Sequence, residues 1–242
     1  MDLLEAVSRA APGVRFRFTS PHPKDFPSAV LQLIAERPNL CSQLHIPAQS
    51  GSSSVLERMR RGYSREAYDL LLAEARATIP GLAISTDMIS GFCGESEAEH
   101  ADTLSLMAAA RFEQAYMFAY SERSHTHASH RMADDVPEHT KLRRLQEVIN
   151  TFRAGAAERA ADEAGRRHVV LVEGPSKRST AERPQLTGRA DNNKMCVFDA
   201  APVPDGLGGL RVPAPGDWVA VSVASANAAT LHVTPECLQS GP

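Results

Sequence analysis

From Val14 to about Gly165, short apolar runs bounded by turn residues alternate with longer stretches of helical period. VRFRFT (14–19), SQLHIP (42–47), LAISTDM (82–88) and AYMFAY (115–120) read as strands. Between them, Tyr68, Leu71, Leu72, Ala75 and Ile79 share one helical face over 64–79, with Ser64 as its cap and Pro80-Gly81 as its stop. Ser96 and Glu99 have capping-box spacing and predict a helix to about Arg111. A long helix should begin near Pro137, and the opening residues MDLLEAVSRAAPG read as part of an amphipathic helix. Repeated strand–helix units imply an α/β fold with a parallel sheet, and they put functional groups in the loops after the carboxyl ends of the strands. Strand 14–19 lacks a preceding partner, so an exposed edge carrying Val14, Phe16 and Phe18 is expected, and with it self-association of the chain.

After Gly165 the helical period disappears. HVVLVEG, QLTGR, MCVF, DWVAVSVAS and TLHVTPE are short β-rich runs separated by Gly, Pro and Asn-Asn, a pattern that predicts a small antiparallel barrel. Between Arg167 and Lys194 the basic residues exceed the acidic ones by three, which on a small barrel is either a solvated face or a nucleic-acid groove. The expected division is therefore 1–165 and 166–242.

Composition narrows the classes. The chain has 242 residues, a formal net charge of -3 and 43% hydrophobic positions, enough for one large or two ordinary domains. No run approaches the ~18–20 apolar residues of a membrane helix. A near-neutral balance argues against a bulk electrostatic grip on nucleic acid, so any such contact needs a local patch. Cys41, Cys93, Cys196 and Cys237 are far apart and without CxxC spacing, which fits a reducing compartment and neither a zinc knuckle nor a disulfide scaffold. The N-terminus reads as neither signal nor transit peptide.

Three stretches carry candidate chemistry. In His45–Ser54 an apolar strand passes through a polar turn into a helix that ends in Arg58, Arg60, Arg61 and Gly62. Its amide and hydroxyls either bind a polar ligand, with an arginine returning to hold a carboxylate, or merely cap the helix. In Ser85–Glu95, Ser85, Thr86 and Asp87 interrupt an apolar strand, either to bind something or as an internally satisfied trio. His125, His127 and His130 have spacing that zinc accepts, but no acid or thiol accompanies them and a polar loop is the plainer reading. Cys41 and Cys93 read as inert buried thiols, and no GxSxG, GxGxxG, Walker or HExxH signature is present.

RFTSPHPKDFP, LHIPAQSGSSSVLERMRRGYSREAY, STDMISGFCGESEAEHADTL and FAYSERSHT, in this order, resemble the catalytic-domain motifs of MiaB-type tRNA methylthiotransferases. Their phrasing is similar to the mitochondrial, kinase-regulator-associated branch of animals, and the tail from about Arg166 resembles the family's TRAM RNA-binding domain. The resemblance implies a partial radical S-adenosylmethionine (β/α) barrel followed by a small all-β barrel. It implies methylthiolation of an isopentenyl-type adenosine beside the anticodon, with S-adenosylmethionine and [4Fe-4S] clusters as cofactors. By resemblance Gln49 and Ser50 line the S-adenosylmethionine pocket, Arg61 clamps the methionine carboxylate, Asp87 bonds the ribose or orders the pocket, and Ser85 stands beside it. Lys177, Arg178 and Arg189 would contact tRNA phosphates, helped by Lys141, Arg143 and Arg144. Implied partners are the tRNA anticodon stem-loop, a sulfur donor, a reductase and a kinase regulatory subunit, in a mitochondrial or cytoplasmic setting.

One departure stands out. The family's CxxxCxxC cluster loop and its second cysteine triad have no counterpart here, so the chain is expected to be a carboxyl-terminal portion, unable alone to make the radical and with no metal ligands of its own. The competing expectation is a non-catalytic RNA-binding or regulatory protein that keeps the barrel as a scaffold.

Overall fold

In the computed structural model, which describes residues 2–19 and 21–241, a three-stranded parallel sheet with helices is joined to a closed five-stranded barrel. The sheet has the order β1 (Gln43–His45), β2 (Ala83–Ser90), β3 (Gln114–Ala119), so each strand lies beside its successor through a helical crossover. Alternation of side chains gives the sheet two unlike faces. Leu44, Ile46, Ile84 and Met88 point into the main core, where they meet Tyr68 and Leu72 of α4 (Arg65–Thr78), Leu106 and Met107 of α5 (Glu97–Ala110) and Val148 of α7 (Glu138–Glu163). The register places Ser85 beside His45 and Gln114, and Asp87 beside Tyr116, so the opposite face is polar and aromatic.

Local signals explain the helices. Ser64 accepts a hydrogen bond from the Ala67 amide, and Ser96 with Glu99 closes a full capping box on α5. α7 starts behind Pro137, and His100 Nε2 meets Glu147 Oε2 at 2.7 Å to join α5 to α7. Near the N-terminus lie α1 (Asp2–Ala10) and α2 (Ser28–Glu36), whose Leu31, Leu33 and Ile34 are buried. The expectation for 14–19 is corrected: it forms no strand, only a single parallel bridge from Phe16 to Leu40. Its sequence mixes two jobs, because Phe16 and Phe18 pack on the core while Arg15 and Arg17 turn to the barrel.

Beyond Gly165 every element is a strand. The barrel closes in the order β10 (Thr230–Gln239), β6 (Met195–Asp199), β5 (Gln185–Arg189), β4 (Arg167–Pro175), β9 (Trp218–Ala226), with a hairpin of β7 (Val203–Pro204) and β8 (Leu210–Arg211) beside it. It is not wholly antiparallel as expected, since β6 and β10 pair in parallel where Cys196 faces Leu231. Inward valines such as Val170, Val219 and Val221 fill its core.

Candidate functional site

The carboxyl ends of β1, β2 and β3 open into a cavity of about 610 Å³ whose lining includes Gln49, Arg61, Asp87, Phe118 and Tyr120. The chain leaves β1 through Pro47 and Ala48, whose carbonyls both accept from the Tyr63 hydroxyl at 3.1 and 3.0 Å. Burial pushes that phenol up to about 12, so it remains a donor at neutral pH. Gln49 then takes a left-handed backbone, φ 67°, which its two main-chain bonds to β2 hold in place: its amide donates to Asp87 O and its carbonyl accepts from Ile89 N. A non-glycine residue in that region is strained, and here the strain turns the amide side chain toward the cavity.

The loop continues to α3 (Ser53–Arg58) across the back of α5. Gly51 donates to Thr103 Oγ1 at 3.0 Å, and a Cβ on Gly51 would stand 2.4 Å from Asp102 O, so only glycine permits this approach. At the end of α3, Arg58 makes a bidentate pair with Glu99, 2.7 and 2.9 Å, which draws the Glu99 carboxyl down to about 2. Arg61, three residues on, makes no side-chain ion pair or hydrogen bond among the described residues and borders the cavity. Across it stands Asp87, whose carboxylate lies 3.4 Å from His45 Nε2. His45 Nδ1 in turn meets Ser85 Oγ at 2.9 Å, and Gln43 Nε2 donates to the same hydroxyl at 3.3 Å.

Of the expected pocket residues, Gln49, Arg61 and Asp87 therefore come together, and Ser50 and Ser85 stand behind them. Ser50 is buried against Thr103 Oγ1, 3.3 Å, and accepts from Ser52 N, while Ser85 orders His45. Sequence reasoning gives His45 no role beyond opening the polar stretch, and reads Tyr116 and Phe118 only as strand residues. The period-two pattern of 114–119 was the available signal: Tyr116 is 46% and Phe118 53% exposed, on the same face as His45 and Asp87.

The basic residues divide sharply. Lys177 and Arg178 are exposed in the loop after β4, whereas Arg189 is held by Asn193 O at 3.1 Å and Glu173 at 3.4 Å. Lys141 and Arg144 are corrected from surface contacts to buried ones: Lys141 Nζ pairs with Asp134 at 2.6 Å, and Arg144 with Glu95 at 2.9 Å. Arg143 is exposed but spans Glu97 and Glu147.

Among the described residues no group of three His, Cys, Asp or Glu side chains converges as metal ligands. Cys41 and Cys196 are buried and pushed up to about 12 by desolvation, unlike the thiolates an iron–sulfur cluster requires. A [4Fe-4S] cluster thus does not fit the described residues. S-adenosylmethionine does fit the donor set of the large cavity: a free guanidinium, a carboxylate, an amide and aromatic walls.

The sequence profile of the radical SAM superfamily matches residues 1–107. Mitochondrial tRNA methylthiotransferase CDK5RAP1 of Mus musculus is 54% identical over 231 residues, 95% of this chain and 39% of that protein. The human protein of that name is 53% identical over 232 residues, and the tRNA-2-methylthio-N(6)-dimethylallyladenosine synthase of Chlorobium phaeobacteroides is 45% identical over 229, or 49% of its length. Over 95% of its own length the chain is similar to these tRNA methylthiotransferases. It spans about 39% of the length of its mammalian relatives. Among solved structures, the radical SAM enzyme coproporphyrinogen III oxidase HemN of Escherichia coli superposes with a TM-score of 0.48 at 23% identity, covering 57% of this chain and 32% of that one.

Proposed function

We propose that the chain supplies the S-adenosylmethionine pocket and part of the RNA-binding surface of a tRNA methylthiotransferase that acts on the adenosine beside the anticodon. The observation that carries this reading is the convergence of Gln49, Asp87 and the unpaired Arg61 on one cavity at the strand ends. Arg61 holds the methionine carboxylate, Asp87 bonds the ribose hydroxyls, and the Gln49 amide bonds the polar groups between them. Ile89 gives the adenine an apolar wall. S-adenosylmethionine supplies the methyl group when bound, and the residues named bind and orient it.

His45 fixes the direction of the Asp87 carboxylate, with Ser85 setting the histidine's other nitrogen. We place the boundary between the radical SAM portion and a TRAM-like RNA-binding barrel at 165–166, and assign tRNA phosphate contacts to Lys177 and Arg178, with Arg189 at their margin. A mitochondrial setting follows the names of the mammalian relatives. A sulfur donor, a reductase and a kinase regulatory subunit remain partners of the family reading alone.

Calorimetric titration of the chain with S-adenosylmethionine tests this assignment. Arg61→Ala should weaken binding by roughly ten- to a hundredfold, the scale of a hydrogen-bonded charge pair of about 1.5–3 kcal/mol. Equal affinity of the variant and the wild type would remove Arg61 from the pocket and the reading with it.

A further inference from the structure

Most arginines of this chain are spoken for by carboxylates or carbonyls. Among the described residues, the ones with neither a side-chain ion pair nor a side-chain hydrogen bond are Arg60, Arg61, Arg123, Arg131, Arg153 and Arg178. Their distribution is uneven. Arg61 and Arg123 line the large cavity, Arg60 lies between the lining residues Met59 and Arg61, and Arg131 follows the lining His127 by one turn of α6 (His127–Arg131). Two unpartnered guanidinium groups therefore line one opening, and two more, Arg60 and Arg131, lie close to its lining residue His127.

Two of the neighbouring acids are already paired, Asp134 with Lys141 and Glu99 with Arg58, while Asp135 accepts from the Gly94 amide and Asp87 lies beside His45. Glu122 alone among the carboxylates of that loop has no partner. Inside the ring, Phe118 and Tyr120 line the wall, and Tyr116 is exposed on the same sheet face as Phe118. Exposed aromatic faces beneath a rim of free cations have the chemistry that takes an unstacked base and the phosphates on either side of it. A peptide or lipid headgroup would not call for aromatic faces below the charges.

We propose that Arg60, Arg123 and Arg131 form a phosphate-binding rim that grips the RNA strand flanking the base inserted in the cavity. This rests on the proposed function and deepens it: the RNA is held at the sheet module itself as well as at the barrel loop carrying Lys177 and Arg178. Arg61 is reserved for the cosubstrate.

Binding of an anticodon stem-loop RNA to the whole chain, measured over a series of salt concentrations, tests the rim. Removing one phosphate-binding arginine should lower the slope of log K against log salt by about 0.7 for a single strand. The double variant Arg123→Ala/Arg131→Ala should therefore lose between about 1 and 2 units of slope and roughly tenfold in affinity at low salt. Arg123→Lys/Arg131→Lys should keep both, since the charges remain; if it loses both as well, disruption of the loop rather than charge is responsible and the rim is overturned. An unchanged slope in the alanine variant overturns the rim while leaving the proposed function standing, provided Arg61→Ala still loses S-adenosylmethionine. Equal displacement of the RNA by heparin at matched charge, or no binding of the stem-loop by the wild type, counts against the rim and against RNA recognition by this chain together.

Discussion

The floor of the site is set by a few charges whose partners are chosen for them. Arg58 and Arg61 stand three residues apart, yet Arg58 is neutralised by Glu99 and Arg61 is not. The first arginine is fixed because Glu99 is also the capping-box residue of α5, accepting from the Ser96 amide at 2.8 Å while Ser54 Oγ donates to its other oxygen. Hydrogen bonding to the ionised form, led by Arg58, is what brings the Glu99 carboxyl to about 2. Its folded value lies below its unfolded one, so its contribution to stability is present above about 4.5 and disappears as pH falls toward 2. Glu99→Gln should therefore melt lower than the wild type at pH 7, by an amount on the order of 1–3 kcal/mol, and the difference should close on acidification. Thermal melts at pH 7, 4 and 2.5 read this directly. A gap of constant size across that range would mean that the Arg58 pair contributes nothing to the fold.

At the level of elements, what could be read from the sequence was what local chemistry decides. Ser64, the Pro80-Gly81 stop and the Ser96–Glu99 box marked α4 and α5 because capping is a matter of neighbours in the chain. The segment 14–19 misleads because its alternation of Phe and Arg satisfies the strand pattern, while the arginines answer to carbonyls more than 150 residues away, which no local pattern contains. α2 escapes notice for the opposite reason: Pro27 ends the preceding turn without a capping side chain, so its start carries no signal. In the site, Asp87 is legible as a polar interruption of an apolar strand and Gln49 as part of the polar turn after one, but the place of Tyr116 on the face of Asp87 depends on β3 lying beside β2. The loop between β1 and α3 illustrates how two elements can fix a site through one small residue. Replacing Gly51 by alanine would press a methyl onto the α5 backbone at Asp102 and Thr103. Overpacking of this kind costs about 1–3 kcal/mol, a fall of several degrees in Tm for a chain of this size. The same shift should loosen Gln49 and weaken S-adenosylmethionine binding; a Gly51→Ala protein that melts and binds like the wild type would show that the loop has slack that the packing denies.

For the molecule as a whole, the junction between the sheet module and the barrel is a polar clamp around one turn. Arg15 donates to Arg189 O and Val169 O, both at 2.9 Å, and Arg17 donates to Ala190 O at 2.8 Å. The Asp191 carboxylate closes the ring by accepting from Ser42 N at 2.8 Å and lying 3.6 Å from Arg15 Nε. Ser42 immediately precedes β1, so the clamp ties the barrel to the start of the strand whose far end opens into the large cavity. A stiff junction would hold the two proposed RNA-contacting pieces, the rim and the Lys177–Arg178 loop, in fixed geometry toward one molecule. Desolvation lowers the Arg15 guanidinium below its ordinary value, and its side chain is nearly inaccessible to solvent. Removing it would take the side-chain donor from the Arg189 and Val169 carbonyls and the nearby cation from Asp191, a loss on the order of 1–3 kcal/mol for each carbonyl left buried and unsatisfied. The readout is built in, because Arg15 lies 4.6 Å over the ring of Trp218, the single tryptophan of the chain. Arg15→Ala should change the intensity and wavelength of Trp218 emission and speed hydrogen exchange at the β5–β6 turn, while amides in the interior of β2 keep their protection. If emission and turn exchange match the wild type, Arg15 is dispensable and the two modules are held by something other than this clamp.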